Sequence, residues 1–344
     1  MAIGKKNVLS ALESVLYFPK GDNVINLNMI QDISIEDKKI RFVIFFPSKD
    51  EKNEQVVRDS CIKAVKEAAG NDYEVEATIK TPGNSLEGIK HIIAVASGKG
   101  GVGKSTVAAN LAVSLSKTGA KTGIIDADIY GPSIPLMFDV MNSRPQVYEK
   151  EGKTWIVPLE NYGIKILSIG FFVDPEKALI WRGPMASNAL KQLFNDSDWG
   201  ELDYLVVDLP PGTGDIQLTL AQEVSVSGIC IVSTPQEVAL ADARKALSMF
   251  NQKQIRIPVL GLIENMSYFS PAELPDNKYY IFGKEGGKKL AEKANVPLLG
   301  EIPLVQSVCE AGDKGRPSAM DKDTPVSNAF DRLAENVIRR LKEM

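Results

Sequence analysis

The chain has 344 residues, a length that suits about two domains. Hydrophobic residues make up 44% of it and charged residues 24%, which is typical of a globular protein. Its formal net charge of −4 offers no general attraction to nucleic acid or anionic lipid, so we expect no nucleic-acid partner and no stable membrane association. Three widely spaced cysteines and one histidine argue against a disulfide framework and a histidine-based metal site, and without a membrane-length apolar run or a signal-peptide pattern we expect a cytoplasmic protein.

The first 80 residues predict a small α+β domain. Helical spacing covers 8–17 and 55–69, and strand-like runs cover 40–46 and 73–79. The segment 81–85 is rich in the Pro, Gly, Asn and Ser that linkers favour. We therefore predict a domain at 1–80, a linker at 81–90 and a second domain at 91–344.

A glycine-rich loop follows the apolar run 92–96 and precedes a segment with helical spacing. Its residues are Gly98, Lys99, Gly100, Gly101, Val102, Gly103, Lys104, Ser105 and Thr106. Glycines let successive backbone N–H groups converge on phosphate oxygens, and a helix that begins there turns its positive end toward the anion. Lys104 would then bind the β- and γ-phosphates, and Ser105 would bind Mg²⁺. An ordinary glycine-rich turn fits this strand–loop–helix context less well, so we predict that the loop binds a nucleoside triphosphate, with ATP and Mg²⁺ as cofactors.

The rest of the second domain predicts an α/β fold. Helical spacing covers 106–117 and 238–250, and apolar runs typical of buried strands cover 122–125, 164–169, 204–207, 229–232 and 259–263. Strands that are apolar throughout indicate a sheet covered on both faces. We therefore predict a doubly wound, mostly parallel sheet whose ligands bind at the carboxyl ends of its strands.

An aspartate ends one of these predicted strands. Asp208 follows the apolar run 205–207, where a carboxylate would hold Mg²⁺ through water. The loop 209–215 after it is stiff at its prolines and free at its glycines, so it could change conformation with the nucleotide. A turn-forming aspartate before proline is the alternative.

Three further polar residues follow predicted strands. Asp126 and Asp128 lie two apart on an extended segment, so their side chains would point to the same side, and either could orient the attacking water. A plain turn is the alternative for both. Asn265 follows another strand, and its amide could read the adenine edge.

Lys99 adds a second lysine directly after the first glycine of the loop. The run 99–106 resembles the deviant Walker A loop of the MinD, ParA, nitrogenase iron protein and Mrp ATPases. That resemblance implies a homodimer in which Lys99 reaches the partner's nucleotide and stabilises charge during hydrolysis; an ordinary solvated lysine is the alternative. It also favours Asp128 as the group that positions water and leaves Asp126 a loop-stabilising or outer Mg²⁺ role. The expected catalytic residues are Lys99, Lys104 and Asp128.

Further segments resemble the Mrp/ApbC family of ATPases over about residues 91–317. They are 126–135, 181–185, 208–215, 233–236, 263–268, 281–287 and 299–303. The first domain resembles the small module that often precedes these ATPases. The resemblance implies an ATPase that acts in iron–sulfur cluster assembly or transfer, with apoproteins or assembly factors as partners. It also implies a [4Fe–4S] cluster held between two protomers by a cysteine pair from each.

That cysteine pair is missing from this chain. The segment 270–275, where the family usually has it, reads Ser-Pro-Ala-Glu-Leu-Pro, and 46–50 lacks the cysteine often seen in the first domain. Cys61 and Cys230 lie in apolar patterns and are expected in the core. We expect a structural role for Cys309, and the alternative is an iron ligand of a labile cluster or of one that a partner helps to hold, because a dimer would offer only two such thiols.

The C-terminal segment 326–344 has apolar residues at helical spacing and mixed charges elsewhere. We predict a helix packed on the ATPase core, and a membrane-targeting helix is the alternative.

Two other functions remain open. One is a spatial-organisation ATPase of the MinD or ParA type. The other is a nucleotide-dependent scaffold that carries no cluster and docks its targets through the first domain.

Overall fold

The computed structural model describes residues 4–36, 38–46, 51–70, 72–80, 86, 88–150, 153–172, 183–214, 217, 220, 224–252, 255, 257–271, 273–274 and 277–344. These fall into two compact units, which divide after Asn84. Several segments named above lie partly or wholly outside the described residues. They are 47–50, the linker cluster 81–85, Trp181, Arg182, Asp215, Ala272 and Pro275.

The smaller unit is a three-stranded sheet with two helices. Its elements are α1 (Lys5–Leu12), β1 (Leu16–Tyr17), β2 (Asp22–Asn23), β3 (Ile30–Glu36), β4 (Lys39–Phe45), α2 (Glu51–Ala69) and β5 (Glu74–Lys80). In the order β3-β4-β5, β3 and β4 are antiparallel, whereas β4 and β5 are parallel. The two helices pack on each other, and α2 also packs on β5.

The helix predicted over 8–17 is wrong in its second half, because α1 ends at Leu12. Leu16–Tyr17 is a short strand that pairs with Asp22–Asn23. Pro19 lies in a 3₁₀ turn between them, and Gly21 has φ +67°, so the chain reverses direction there. The reversal lets the backbone groups of Leu16 and Tyr17 pair with Asp22 and Asn23, so these residues do not continue the helix.

The larger unit is built on an eight-stranded sheet. The strands of this unit among the described residues are β6 (Ile89–Ser97), β7 (Thr122–Asp126), β8 (Gln146–Lys150), β9 (Lys153–Val157), β10 (Leu159–Asn161), β11 (Ile164–Ser168), β12 (Leu202–Asp208), β13 (Gly228–Ser233), β14 (Val259–Phe269) and β15 (Leu298–Leu304). The sheet order is β10-β11-β7-β12-β6-β13-β14-β15; among these described strands β10 is antiparallel to β11, and the other neighbouring pairs are parallel. β8 and β9 form a separate hairpin. The predicted doubly wound, mostly parallel sheet is confirmed.

Helices cover this sheet. They are α3 (Lys104–Lys117), α4 (Ile134–Met137), α5 (Gly183–Asn195), α6 (Glu237–Phe250), α7 (Gly286–Ala294), α8 (Gln306–Asp313) and α9 (Pro325–Glu343). α3 packs against α9 and several strands, and α6 packs against α7 and β13. Every residue of β13 is buried, as a strand covered on both faces requires.

The C-terminal helix α9 packs on the core, as predicted. Its apolar face buries Val326, Phe330, Leu333 and Val337, and the helix contacts α3 and β15. Within the described ranges, no helix is both long enough and apolar enough to cross a bilayer.

Candidate nucleotide-binding site

The glycine-rich loop joins β6 to α3 at the carboxyl end of the sheet. Gly103 is the N-cap of α3 with φ +80°, and Gly101 has φ +81°, a left-handed conformation that favours glycine. A Cβ on Gly98 would overlap backbone atoms of Asp242, and a Cβ on Gly103 would overlap the amide of Asn265. The loop therefore holds its shape through glycines at close approaches, with the N-terminus of a 14-residue helix behind it.

Lys104 lies at the centre of the site. Its side chain is only 6% exposed. The ammonium lies 2.5 Å from Asp208 Oδ1, 3.6 Å from Asp128 Oδ2 and 3.1 Å from Ser105 Oγ. Burial raises the pKa of Asp208, and the positive charge and hydrogen bond of Lys104 oppose that rise. The structure thus brings together four residues that the sequence placed on three different segments.

Asp126 lies beside this cluster but faces its own loop. One oxygen accepts a hydrogen bond from the backbone N–H of Asp128, and the other accepts from Ile134 N–H and Ser168 Oγ–H, all at 3.1 Å. Asp126 and Asp208 are register partners on β7 and β12. Burial, and next the charge of Asp208, raise the pKa of Asp126 to about 7. Two of these donors, Asp128 and Ile134, belong to the segment after β7, so Asp126 holds that segment in place, and Ser168 ties it to the end of β11.

Asn265 braces the loop from the other side. Its Nδ2 donates to the carbonyl of Val102 at 2.8 Å, and the side chain is buried. β14 extends to Phe269, six residues beyond the predicted strand, with a left-handed Met266 and a shift of register against β15. The amide nitrogen of Asn265 is therefore engaged with the loop itself, and its adenine-reading role stays a prediction.

A cavity of about 280 Å³ opens beside the loop, close to the lower end of the range for small-molecule sites. It is lined by Gly103, Thr106, Met137, Asn265, Met266 and Cys309, among others. Met137 and Cys309 belong to segments that the sequence did not connect with the loop, whereas Met266 directly follows Asn265. Because it adjoins the N-terminus of α3, the cavity can extend a phosphate-binding site toward a base and sugar.

Lys99 and Cys309 stand apart from the charged cluster. The Lys99 side chain is partly exposed, and its ammonium makes no ion pair with any described residue. Cys309 is exposed on α8, with its Sγ 3.9 Å from Asp313 Oδ2. Cys61 and Cys230 are buried as predicted, and burial raises the pKa of each thiol to about 12. Across the described chain, no three His, Cys, Asp or Glu side chains gather where a metal ion could be held.

Gln217 is a buried side chain near the site that the sequence did not indicate. Gln217 hydrogen-bonds to the loop after Asp208 at three backbone positions. The only sequence signal is a polar residue between Ile216 and Leu218, and that pattern does not identify a contact with a loop.

Comparisons with known proteins match both units to known families. Residues 88–338 match the family described as NUBPL iron-transfer P-loop NTPase, and residues 5–77 match the family described as iron–sulfur cluster assembly protein. An iron–sulfur cluster carrier protein from Synechocystis sp. is 44% identical over 339 residues, which cover 96% of each chain.

Two solved structures share the fold of the larger unit. A nucleotide-binding protein from Archaeoglobus fulgidus, solved in complex with ADP, is 39% identical with a TM-score of 0.60, and the match covers 70% of this chain and 92% of that one. The cell division ATPase MinD from Pyrococcus furiosus is 22% identical with a TM-score of 0.51, over 73% of this chain and 99% of that one, which shows a common fold alone. The resemblance noted in the sequence is confirmed, and the chain belongs to the NUBPL iron-transfer P-loop NTPase family.

Proposed function

We propose that the protein is a Mg²⁺-dependent, dimeric ATPase that acts in the assembly of iron–sulfur clusters or their transfer to apoproteins. The observation that carries the ATPase part is the buried Lys104 ammonium held by Asp208 and Asp128 at the N-terminus of α3. Its position at a glycine-rich loop suits the β- and γ-phosphates of a triphosphate. The iron–sulfur part is supported by the carrier relative, which is similar over nearly the whole chain.

The residues present fit a magnesium ion. Asp208 Oδ2 is buried and has no hydrogen-bond partner among the described residues, so a carboxylate oxygen is free for a cation. The Ser105 hydroxyl lies against the same carboxylate and lowers its pKa. Mg²⁺ prefers such hard oxygen ligands and usually keeps several waters. Ser105 and Asp208 would hold the ion, which would neutralise phosphate charge.

The remaining residues would bind and orient the nucleotide. The loop amides from Gly98 to Thr106 would cradle the phosphates, and the cavity that includes Asn265 would take the base. Asp128 Oδ2 lies 3.6 Å from the Lys104 ammonium, beside the phosphate position, where it would orient attacking water. A Mg²⁺-dependent phosphate-release assay tests hydrolysis, and calorimetry with purine triphosphates tests binding. Well-folded protein that binds none of them would refute the proposal.

The dimer gives Lys99 its proposed role. We compare the inactive variants Lys99→Ala and Asp128→Asn, alone and mixed, with Lys322→Ala as the control for loss of an exposed lysine. If Lys99 acts on the partner's nucleotide, each mixed dimer regains one complete site. A 1:1 mixture then recovers about a quarter of the wild-type rate, because half of the dimers are mixed and each has one working site. No recovery would show that Lys99 acts within its own chain, and an active Lys99→Ala variant would show that Lys99 has no role in hydrolysis.

This chain alone does not offer enough ligands for an iron–sulfur cluster. Cys61 and Cys230 are buried, and Cys309 is the one exposed thiol of the three in the sequence, so a dimer offers two thiols where an all-cysteine cluster needs four. Serine and glutamate in the segment 270–275 are poor ligands for cluster iron. We therefore treat the cluster as cargo and infer that a partner supplies ligands, which makes the protein closer to an ATP-driven scaffold.

Metal and sulfide analysis after anaerobic reconstitution tests the cargo proposal. We expect no stoichiometric iron and sulfide on the dimer alone and no difference between wild type and Cys309→Ala. A stoichiometric cluster that is lost in Cys309→Ala would instead make Cys309 a ligand.

A further inference from the structure

Gln217 is a buried amide whose hydrogen bonds, among the described residues, all go to one loop. Its Oε1 accepts a hydrogen bond from Gly214 N–H at 2.9 Å, and its Nε2 donates to the carbonyls of Pro210 and Gly212 at 3.0 and 3.1 Å. The side chain is 1% exposed, and its bond to the Pro210 carbonyl is fully buried, whereas the bonds to Gly212 and Gly214 are partly buried. One amide thus fastens three backbone positions of the segment 210–214.

That loop is also tied to the strands that carry the site. Leu209 N–H donates to the carbonyl of Val95 at 3.0 Å, and Gly212 N–H donates to the carbonyl of Ser97 at 2.9 Å, at the point where the glycine-rich loop begins. Gly212 has φ +95°, a conformation that other residues adopt at a cost. The segment therefore connects the end of β12, where Asp208 lies, with the base of the glycine-rich loop.

We propose that Gln217 is a positioning residue for the ATPase reaction: it fixes the loop 210–214 and thereby holds Asp208 in register with the glycine-rich loop. This inference rests on the proposed ATPase function. It adds a residue that touches neither phosphate nor metal in that proposal and acts through the backbone of the loop.

The chemistry of the amide makes the role specific to glutamine. The loop presents one N–H donor and two carbonyl acceptors, and an amide matches them with one oxygen and one NH₂ group. A carboxylate in its place could still accept from Gly214, but it would face the carbonyls of Pro210 and Gly212 with lone pairs. A methionine would fill a similar volume and make none of the three bonds.

The test compares Gln217→Glu and Gln217→Met with the same substitutions at Gln192, an exposed glutamine on α5. We measure kcat and KM for ATP, the Kd for ADP, and hydrogen–deuterium exchange of the peptide 209–217. Both Gln217 variants should lower kcat at least tenfold, because small misplacements of catalytic groups are costly, while KM and the ADP Kd change less than about threefold. Exchange in the peptide should rise at least tenfold in both, and the Gln192 variants should match wild type.

Each arm can refute the inference. Unchanged exchange in folded Gln217 variants would show that the amide does not fasten the loop. Faster exchange with kcat within twofold of wild type would show that the loop does not position the site. Equal losses in kcat and ADP affinity would mark a general structural role. If wild-type protein binds nucleotide but does not hydrolyse it, the proposed ATPase fails, and exchange still decides whether Gln217 fastens the loop.

Discussion

Replacing Asp126 by asparagine should change how the stability of the larger unit depends on pH. Asp126 is fully buried beside Asp208, with Asp128 and Lys104 nearby, and its pKa in the folded protein is about 7 against an ordinary value of 3.8. Between these two values the folded state binds a proton that the unfolded chain has released. The free energy of unfolding therefore falls as pH rises toward 7, and this loss is complete above the folded pKa.

The size of the effect follows from the pKa difference. One pKa unit corresponds to about 1.4 kcal/mol, so between pH 5 and pH 8 wild type should lose roughly 2–3 kcal/mol that Asp126→Asn does not lose. Asparagine also gives up an acceptor for one backbone N–H, at about 1–3 kcal/mol, but this cost does not vary with pH. The expected signature is a difference between variant and wild type that grows in favour of the variant as pH rises.

Urea denaturation without nucleotide or Mg²⁺ measures this difference. All three tryptophans lie in the larger unit, at 155, 181 and 199, so their fluorescence reports its unfolding. Glu149→Gln removes a charge from an exposed position on β8 and serves as the control, with a difference from wild type that stays constant. A constant difference for Asp126→Asn as well would mean that Asp126 carries its charge at little cost, and the reasoning from burial would fail.

Three further predictions follow from the site. Asp208→Asn should lower Mg²⁺-dependent ATP hydrolysis about 100-fold or more, because it removes a buried partner of Lys104 and the carboxylate oxygen that is free for Mg²⁺. The affinity for ADP without Mg²⁺, measured by titration, should change little. Equal loss of hydrolysis and ADP affinity would contradict the metal role. Gly103→Ala should weaken nucleotide binding, measured by calorimetry, at least tenfold, because the added Cβ meets Asn265. Gly119→Ala is the control: its φ of +88° is similar, but the space around its Cβ is open, so it should lose only about 1 kcal/mol of stability. If the cavity binds the base, saturating ATP should slow alkylation of Cys309 several-fold, because Cys309 lines the cavity. Cys61 and Cys230 are buried and should not react in the folded protein. Alkylation of Cys309 at an unchanged rate would place the base elsewhere.

Local patterns in the sequence determined the parts of the protein that depend on neighbouring residues. The glycine-rich loop, the apolar strands and the C-terminal helix each follow from spacing within a few residues, and the structure has all three. The position of Asp208 at the end of a strand was also predicted from local spacing. Its place at the site followed because parallel strands present their carboxyl ends at one edge of the sheet. The number and kinds of the cysteines likewise needed no structure, and they limit the ligands available to a cluster.

Only the tertiary structure decided how these parts meet. Lys104 pairs with Asp208 across 104 residues of sequence, and Asn265 bonds to Val102 across 163. Gln217 closes on its loop over a short span, yet its role depends on a backbone shape that the prolines and glycines do not specify by themselves. Cys309 adjoins the site because α8 packs beside α4 near the loop. Burial and charge act through space, so the raised pKa of Asp126 and the free oxygen of Asp208 appear only once the strands lie side by side.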